Sequence, residues 1–152
     1  MVNPRRTVKT EAKYQLLAQK LDDDGGHGYK DHGAQTTEAQ QVHRLKTGVK
    51  PGGDIRPAPY RASKFTQHES QVKASEIAFQ KLAFESRNFR LNNGRYEPSP
   101  RIRFSFYKAG LSYSLDSSGN SVERVLNNVT AFFECTDLTK GTYRLISIFP
   151  ST

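Results

Sequence analysis

The sequence predicts an α+β fold in which N-terminal helices pack on an antiparallel sheet of four to five strands. In the first 86 residues apolar side chains recur every three or four positions, which is typical of helices exposed on one side. From residue 101 onwards they alternate with polar residues, which is typical of half-buried strands. Because the helices precede the strands instead of alternating with them, we expect one domain over 1–152, with a helical half at 1–86 and a β-rich half at 101–150.

Three segments of the first half have helical spacing, and they span residues 8–21, 38–46 and about 67–86. Thr37 and Gln40 fit a capping box at the start of the second segment, and Gly48 follows its end. The glycine- and histidine-rich stretch 27–35 predicts a loop. The prolines and glycines of 49–62 predict an irregular connector.

Alternation marks the strands of the second half, which we expect at residues 101–108, 111–115, about 121–135 and 142–149. Ala109-Gly110 and the polar run 116–120 predict the turns between the first three strands. The first strand directs its apolar residues inward, which leaves Arg101 and Arg103 on a basic outer face. The polar region 87–100 before it predicts turns.

Positive charge is concentrated in the middle of the chain. The formal net charge is +8 at pH 7, residues 25–108 by themselves carry +8, and the rest of the chain is close to neutral. Such a surface is typical of proteins that bind a polyanion, above all nucleic acid, although solubility alone also favours it. We therefore regard Lys64, Arg101 and Arg103 as candidate substrate-binding cations.

Several classes of function receive no support from the sequence. No apolar run approaches the length of a membrane span, and no signal-type apolar stretch follows a basic start. The single cysteine, Cys135, excludes an internal disulfide framework, and its alternating strand predicts a buried apolar position. The chain has no Walker A sequence, no GxGxxG and no HExxH. His27 and His32 match no zinc pattern, so we expect neither a metal nor a cofactor.

The short helix after the glycine-rich stretch has a polar face. On a helical wheel Thr37, Gln41 and Arg44 fall on one side, whereas Ala39 and Val42 point away from it. We therefore expect this helix to bury its aliphatic side and to offer hydroxyl, amide and guanidinium groups to a ligand. Its N-terminus carries free N–H groups and partial positive charge, which suit a phosphate.

His32, a few residues before this helix, is expected to lie close to whatever Arg44 binds. An imidazole can act as general base or acid near neutrality, and a guanidinium offers a fork to phosphate. Together they are the minimum for cleaving RNA without a metal, because the imidazole helps the ribose 2′-OH attack phosphorus and the cation stabilises the charged transition state. His27 is a second candidate for proton transfer. The same pattern also fits a glycine-shaped turn with merely exposed histidines.

The last predicted strand adds three candidates. Tyr143, Ser147 and Phe149 share one face of the alternation. Ser147 stands among large residues, where packing needs no hydroxyl, so it is a candidate for orienting a phosphate oxygen. Phe149 or Tyr143 can stack a base. A serine that is hydrogen-bonded within its strand fits the pattern equally well.

Three motifs resemble those of a known family. They are GGHGYKDHGAQTTEAQQVHRLKTG at 25–48, ASKF at 62–65 and the closing YRLISIFP at 143–150. They resemble the C-terminal ribonuclease toxin domains of bacterial contact-dependent growth inhibition and polymorphic toxin systems. The resemblance is greatest to the RNase A-like group of the barnase–EndoU–colicin–RelE superfamily, in which a GGH…HVG segment, an arginine, an AS-x-F motif and a closing T-A-Y-P strand follow in this order.

The resemblance implies a metal-independent ribonuclease toxin that cleaves tRNA by 2′-OH transesterification in competing bacteria. In this sequence the catalytic set would be His32, Arg44 and Ser147, with Thr37 helping to orient the phosphate and His27 as the second proton-transfer group. The family also implies that a larger secreted or cell-surface effector delivers the domain to the target-cell cytoplasm. A cognate immunity protein would neutralise the otherwise monomeric toxin, and for a basic toxin that partner is expected to be acidic.

The sequence departs from the family's pattern in three places. Gly33-Ala34 replaces the usual residues after the second histidine, and the spacing from His32 to Arg44 is slightly longer. Ser147 and Phe149 stand where family members have threonine and tyrosine. Serine keeps a hydroxyl, but phenylalanine cannot donate a proton, so an acid role there must be absent or must pass to another residue, such as His27 or Tyr143.

Two other functions stay open at this point. A non-catalytic nucleic-acid-binding module would use the same basic face with Phe104, Tyr107 and Tyr113, and its binding would be salt-sensitive without any product. An ADP-ribosyltransferase-type toxin would use Arg44, Ser63 and a later glutamate, although no Glu-x-Glu occurs near the end of the chain.

Overall fold

Helices dominate the first part of the chain and strands the second. The structure, a computed structural model, describes residues 4–85, 90–91 and 93–152, with the backbone alone at 4–9. These residues form four helices and four strands, namely α1 Pro4–Lys20, α2 Gly28–His32, α3 Glu38–Thr47, β1 Ala62–Phe65, α4 His68–Glu85, β2 Arg101–Leu115, β3 Ser121–Asp137 and β4 Thr142–Ser151. Within the described ranges, no helix is both long and apolar enough to cross a bilayer.

The four strands form one antiparallel sheet in the order β1-β2-β3-β4. Its core lies between α4 and one face of the sheet. Every strand contributes to this core, whose buried residues are Phe65, Ala74, Ala78, Leu82, Ile102, Phe104, Ala109, Val129, Ala131, Phe133, Leu145 and Ile148. Burial of one such large side chain contributes about 1.5–3 kcal/mol. The arrangement confirms the predicted α+β class, with N-terminal helices packed on a four-stranded antiparallel sheet.

The helices largely follow the periodicity of the sequence. The helix predicted over 8–21 begins earlier, at Pro4, and ends at Lys20. The capped helix ends one residue later than predicted, at Thr47. The helix predicted over 67–86 spans His68–Glu85, and its last predicted residue lies outside the described residues, as does part of the turn region 87–100.

The stretch predicted as a loop over 27–35 contains the single-turn helix α2, so the prediction was wrong there. The turn is stabilised locally, because the carboxylate of Asp22 accepts the backbone N–H groups of Tyr29 and Lys30 at 3.0 Å each. These bonds satisfy two of the donors that a helix N-terminus leaves without partners. A five-residue helix is too short to show an apolar period, which is why the sequence did not predict it.

The strands differ from the prediction at β1 and β2. The ASKF motif forms β1, which is too short for alternation to reveal it. Ala109-Gly110 was predicted as a turn, but β2 continues through it. The pairing of β2 with β3 is irregular here, because the four residues 106–109 of β2 lie opposite the single residue Asn127 of β3. The irregularity lets Gly110 pack against β1, where a Cβ would lie 2.1 Å from the carbonyl oxygen of Lys64. Cys135, predicted to be buried, is half-buried, and the pairing of β3 with β4 shifts register directly after it.

Candidate active site

An open cavity of about 360 Å³ lies where α2 and α3 meet strands β3 and β4. Its lining consists of His27, His32, Arg44, Lys50, Ser99, Glu134 and Ser147 with an apolar wall of Phe132, Phe133, Ile146 and Phe149. Five residues predicted from the sequence meet here, namely His27, His32, Arg44, Ser147 and Phe149. The other six lie outside the lining, namely Thr37, Gln41, Lys64, Arg101, Arg103 and Tyr143.

The backbone around His27 is pressed against strand β4. The His27 N–H donates to the carbonyl oxygen of Ile146 at 2.8 Å. On either side of it, a Cβ at Gly26 would lie 2.7 Å from the carbonyl oxygen of Leu145, and a Cβ at Gly28 would lie 2.9 Å from a backbone nitrogen of β4. Only glycine permits so close an approach. The glycines of the GGHG motif therefore place the His27 ring at the cavity.

His32, at the end of α2, is a buried histidine that is 6% exposed. Its Nδ1 lies 2.8 Å from the carbonyl oxygen of Ser63 in β1. Since a carbonyl can only accept, Nδ1 carries the proton, and Nε2 of the neutral ring is a free acceptor. Burial lowers the pKa of His32 to about 4, with the charge of Arg44 adding to the effect and the Ser63 bond opposing it. At neutral pH the cavity therefore contains a neutral imidazole with an available lone pair.

Arg44 enters the cavity from α3, whose two ends are firmly capped. At the N-terminus the Thr37 hydroxyl accepts the N–H of Gln40 at 3.1 Å, and the Gln40 side chain accepts the N–H of Thr37 at 2.8 Å. At the C-terminus Gly48 adopts φ 80, and its N–H donates to the carbonyl of Arg44 at 2.8 Å. Burial lowers the pKa of Arg44, while the charge of Asp31 opposes the lowering, and a guanidinium stays charged at any physiological pH. Thr37, the N-cap of this helix, is exposed and does not line the cavity.

Gln41 is 0% exposed and lies in the interior, although the helical wheel assigned it to a ligand-facing side. Its Nε2 donates to the carbonyl oxygen of Asp31 at 2.9 Å and to the hydroxyl of Thr36 at 3.1 Å. These bonds tie α3 to α2. Ala39, expected to be buried, is exposed. Helix α3 therefore buries the Gln41 amide together with Leu45, because the amide nitrogen has polar partners in the preceding segment.

Strand β4 contains a bulge that separates Ser147 from Tyr143. Phe132 pairs with Ser147 and Phe133 with Leu145, so Ile146 is unpaired. An extra residue reverses the alternation of side chains. Tyr143 consequently packs on the core side near α4, where burial raises its pKa to about 12. The expectation that Tyr143 shares a face with Ser147 and Phe149 was wrong.

Ser147 is 4% exposed, and its hydroxyl has no hydrogen-bond partner among the described residues. The alternative considered from the sequence, a serine that is hydrogen-bonded within its strand, therefore does not hold. A buried hydroxyl without a partner costs about 1–3 kcal/mol of desolvation. Because Ser147 also lines the cavity, a ligand that accepts its O–H would remove this cost.

Phe149 and Phe132 form an aromatic wall beside the histidine. The Phe149 ring centroid lies 5.0 Å from that of His32 and 5.8 Å from that of Phe132, and the two phenylalanine rings stack. The Arg101 guanidinium lies 5.9 Å from the Phe132 centroid, at the edge of the cavity. Arg103 instead contacts the carbonyl oxygen of Thr152 with its guanidinium.

Lys64 is half-buried outside the cavity. Its Nζ donates to the carbonyl oxygen of Ala34 at 3.1 Å and to that of Thr36, and burial lowers its pKa. The lysine thereby ties strand β1 to the segment between α2 and α3. In this structure Lys64 therefore makes contacts within the fold and does not line the cavity.

Sequence reasoning missed Asp31, which lies behind His27, and six residues that line the cavity, namely Lys50, Ser99, Phe132, Phe133, Glu134 and Ile146. One signal was available, because Asp31 follows His27 at the i,i+4 spacing that brings side chains together on a helix. The others reach the cavity from separate loops or from β3 and β4, so no local pattern identifies them. In the part of the chain that the structure describes, no three His, Cys, Asp or Glu side chains are grouped as metal ligands would be.

Comparison with solved structures shows that the fold has a known counterpart. A chain of the crystal structure of the CdiA-CT/CdiI complex from Y. kristensenii 33638 superposes with a TM-score of 0.59 and 20% sequence identity. The match covers 82% of this chain and 98% of that chain. At this identity the likeness shows a shared fold. No protein-family model matches the chain, and no curated protein matches it.

Proposed function

We propose that this protein is a contact-dependent growth inhibition toxin domain that cleaves RNA, with tRNA as its target, by metal-independent 2′-OH transesterification. The observation that carries the proposal is the cavity itself, in which a buried neutral imidazole, a guanidinium and an unpartnered serine hydroxyl face the same space. The shared fold with a chain of the CdiA-CT/CdiI complex and the sequence resemblance to toxin domains of such systems support it further.

In the proposed reaction the Nε2 lone pair of His32 takes the proton from the ribose 2′-OH. The 2′-oxygen then attacks the adjacent phosphorus, the bond to the 5′-oxygen breaks, and a 2′,3′-cyclic phosphate forms. Arg44 holds the non-bridging oxygens with charge-assisted hydrogen bonds, and Ser147 donates its O–H to one of them. His32 suits the role of base because it is neutral at physiological pH.

The leaving 5′-oxygen needs a proton, and Phe149 cannot supply it. Tyr143 lies on the other side of β4, outside the cavity lining. His27 lines the cavity and is 31% exposed, so its ring can exchange a proton with both substrate and solvent. We therefore assign the acid to His27. The Phe149 ring is left to pack against His32 and to form a wall with Phe132.

The proposed biological setting follows the resemblance. A larger secreted or cell-surface effector would deliver the domain to the cytoplasm of a target cell, and a cognate immunity protein would neutralise it. The net charge of +8 favours RNA as substrate and an acidic protein as inhibitor, because complementary charge accelerates association. We expect Arg101, whose guanidinium lies beside Phe132, to meet the RNA backbone near the scissile phosphate.

The proposal is tested by incubating purified protein with total tRNA in EDTA. We expect fragments that end in 2′,3′-cyclic phosphate. His32→Ala and Arg44→Ala should each lower the cleavage rate by about 10²–10⁴-fold while the fold is kept. His43→Ala, which removes an exposed histidine on α3, is the matched control and should cleave normally. Full activity of His32→Ala would overturn the mechanism, and salt-sensitive binding without any product would identify a non-catalytic nucleic-acid-binding module instead.

A further inference from the structure

The buried carboxylate of Asp31 lies directly behind His27. We propose that Asp31 is the positioning residue of His27, holding the ring by Nδ1 so that Nε2 is the nitrogen that delivers a proton into the cavity. This inference rests on the proposed function, since it concerns the acid of that reaction. Asp31 itself does not line the cavity, so it acts only through His27.

The two side chains are in close contact, although His27 Nδ1 and Asp31 Oδ2 do not have the alignment of a hydrogen bond among the described residues. His27 Nδ1 lies 2.9 Å from Oδ2 of Asp31, one helical turn apart, and the backbone N–H of Asp31 donates to the carbonyl of His27 at 3.0 Å. The other carboxylate oxygen, Oδ1, accepts the N–H of Gly52 at 3.1 Å. Lys50 Nζ lies 3.6 Å from Oδ2. Contacts from α2 and from the segment after α3 therefore hold the carboxylate in place.

The electrostatics require a proton on the nitrogen that faces Asp31. The residue is 1% exposed, and burial by itself would raise its pKa. The contact with His27, the charge that His32 carries at low pH, the Gly52 N–H and the charge of Lys50 together lower the pKa of Asp31 to about 2, so it is ionised at neutral pH. An anion at 2.9 Å from an unprotonated nitrogen would meet its lone pair, which is unfavourable, so Nδ1 carries hydrogen.

This arrangement suits a proton donor. When His27 is doubly protonated, Nε2 can give its proton to the leaving oxygen, and the neutral ring that remains keeps its Nδ1–H towards the Asp31 carboxylate. The ring therefore need not turn during the reaction. The Nδ1 atom of His32 likewise faces an acceptor, the Ser63 carbonyl, so in both imidazoles Nε2 is the nitrogen left for the cavity. Such anchoring by a neighbouring acceptor is how histidine tautomers are selected.

A purely structural role for Asp31 is the competing explanation, because the same carboxylate also binds Gly52 and Lys50. Asp31→Asn separates the two roles. The amide keeps the size of the side chain and an oxygen that can accept the Gly52 N–H, but it removes the charge that selects the His27 tautomer. Asp54→Asn is the matched control, because Asp54 is an exposed acid in the same segment, paired with exposed Arg56 at 3.6 Å.

The first measurement is the ring-nitrogen NMR spectrum of His27 in the wild-type protein and in Asp31→Asn. We expect the Nδ1–H form in the neutral ring of the wild type, and a shift towards the Nε2–H form in the variant but not in Asp54→Asn. This measurement needs no RNA, and it remains decisive even if Asp31→Asn folds poorly. The wild-type spectrum alone overturns the proposal if the neutral His27 ring carries its proton on Nε2.

The second measurement is a double-mutant cycle on RNA cleavage. Asp31→Asn should lower kcat by between about 10- and 10⁴-fold with KM for RNA nearly unchanged. In a His27→Ala background the same substitution should cost nothing further, since Asp31 acts through His27. Additive losses would overturn the positioning role. A wild-type protein that cleaves no RNA would instead overturn the proposed function, and the NMR spectrum would still decide whether Asp31 sets the tautomer.

Discussion

Lowering the pH from 7 to 5 is expected to destabilise the folded protein through His32. Burial holds the pKa of His32 at about 4 in the folded state, against 6.5 for an ordinary histidine. The unfolded chain therefore binds more protons than the folded protein between pH 6.5 and 4, and the free energy of unfolding falls as the pH falls through this window. The full difference corresponds to about 3 kcal/mol, of which about 2 kcal/mol is lost between pH 7 and pH 5.

The assay is urea unfolding at pH 7 and pH 5 for the wild type, for His32→Gln and for His43→Gln. Each protein serves as its own reference, so any loss of stability in a variant at pH 7 cancels. His32→Gln should lose about 2 kcal/mol less than the wild type over this pH change, whereas His43→Gln, which removes an exposed ring, should behave like the wild type. Asp31 does not interfere, because its pKa of about 2, against 3.8, affects stability only at lower pH.

The refuting result is equal pH dependence in the wild type and His32→Gln. It would mean that the folded protein accepts a proton on His32 as readily as the unfolded chain does. The imidazole would then not be held neutral by burial. The argument that it serves as a base over the physiological range would lose its physical basis, whatever the activity of the protein.

Two further predictions concern the residues that shape the cavity. Ser147→Ala should leave the free energy of unfolding unchanged or raise it by up to about 1 kcal/mol, because the deleted hydroxyl has no partner, yet it should slow RNA cleavage. Thermal unfolding and cleavage rates test this against Ser105→Ala on an exposed part of β2, and a clear destabilisation would reveal a structural role for Ser147. Gly26→Ala should destabilise the protein by about 1–3 kcal/mol, since its Cβ would lie 2.7 Å from the carbonyl oxygen of Leu145. If the Gly26→Ala protein unfolds at the same temperature as the wild type, the close contact between this segment and β4 is contradicted.

The α+β class and most helix and strand positions could be predicted because they depend on short-range periodicity. Helix α3 shows this well, since Thr37, Gln40 and Gly48 are local signals that operate as expected. Elements shorter than one period escaped prediction, as α2 and β1 did. Strand irregularities also escaped, because the residue that bulges is decided by pairing with a neighbouring strand and not by its own sequence.

The bulge at Ile146 illustrates the consequence for the site. Simple alternation places Tyr143 with Ser147 and Phe149, but one unpaired residue sends Tyr143 to the opposite side of β4. This difference matters chemically, because the bulge keeps Tyr143 away from the cavity and so excludes it as the general acid. The prediction that Gln41 faces a ligand was wrong for a related reason. Its amide donates hydrogen bonds to Asp31 and Thr36, which lie outside the helix and are not represented on a helical wheel.

The sequence by itself determined the secondary-structure order, the positive charge of the middle of the chain and the identity of the candidate proton-transfer groups, since all three are properties of residues and of their immediate spacing. Only the tertiary structure decided the protonation of those groups. His32 is neutral because burial in the folded protein removes it from water, while the Ser63 carbonyl, thirty-one residues away, accepts a hydrogen bond from Nδ1 and so selects the tautomer. Asp31 is only four residues from His27, but Lys50 and Gly52 from the segment after α3 help to keep its buried carboxylate ionised. The affinity of a side chain for a proton depends on desolvation and on nearby charges, and both are set by parts of the chain that are distant in sequence.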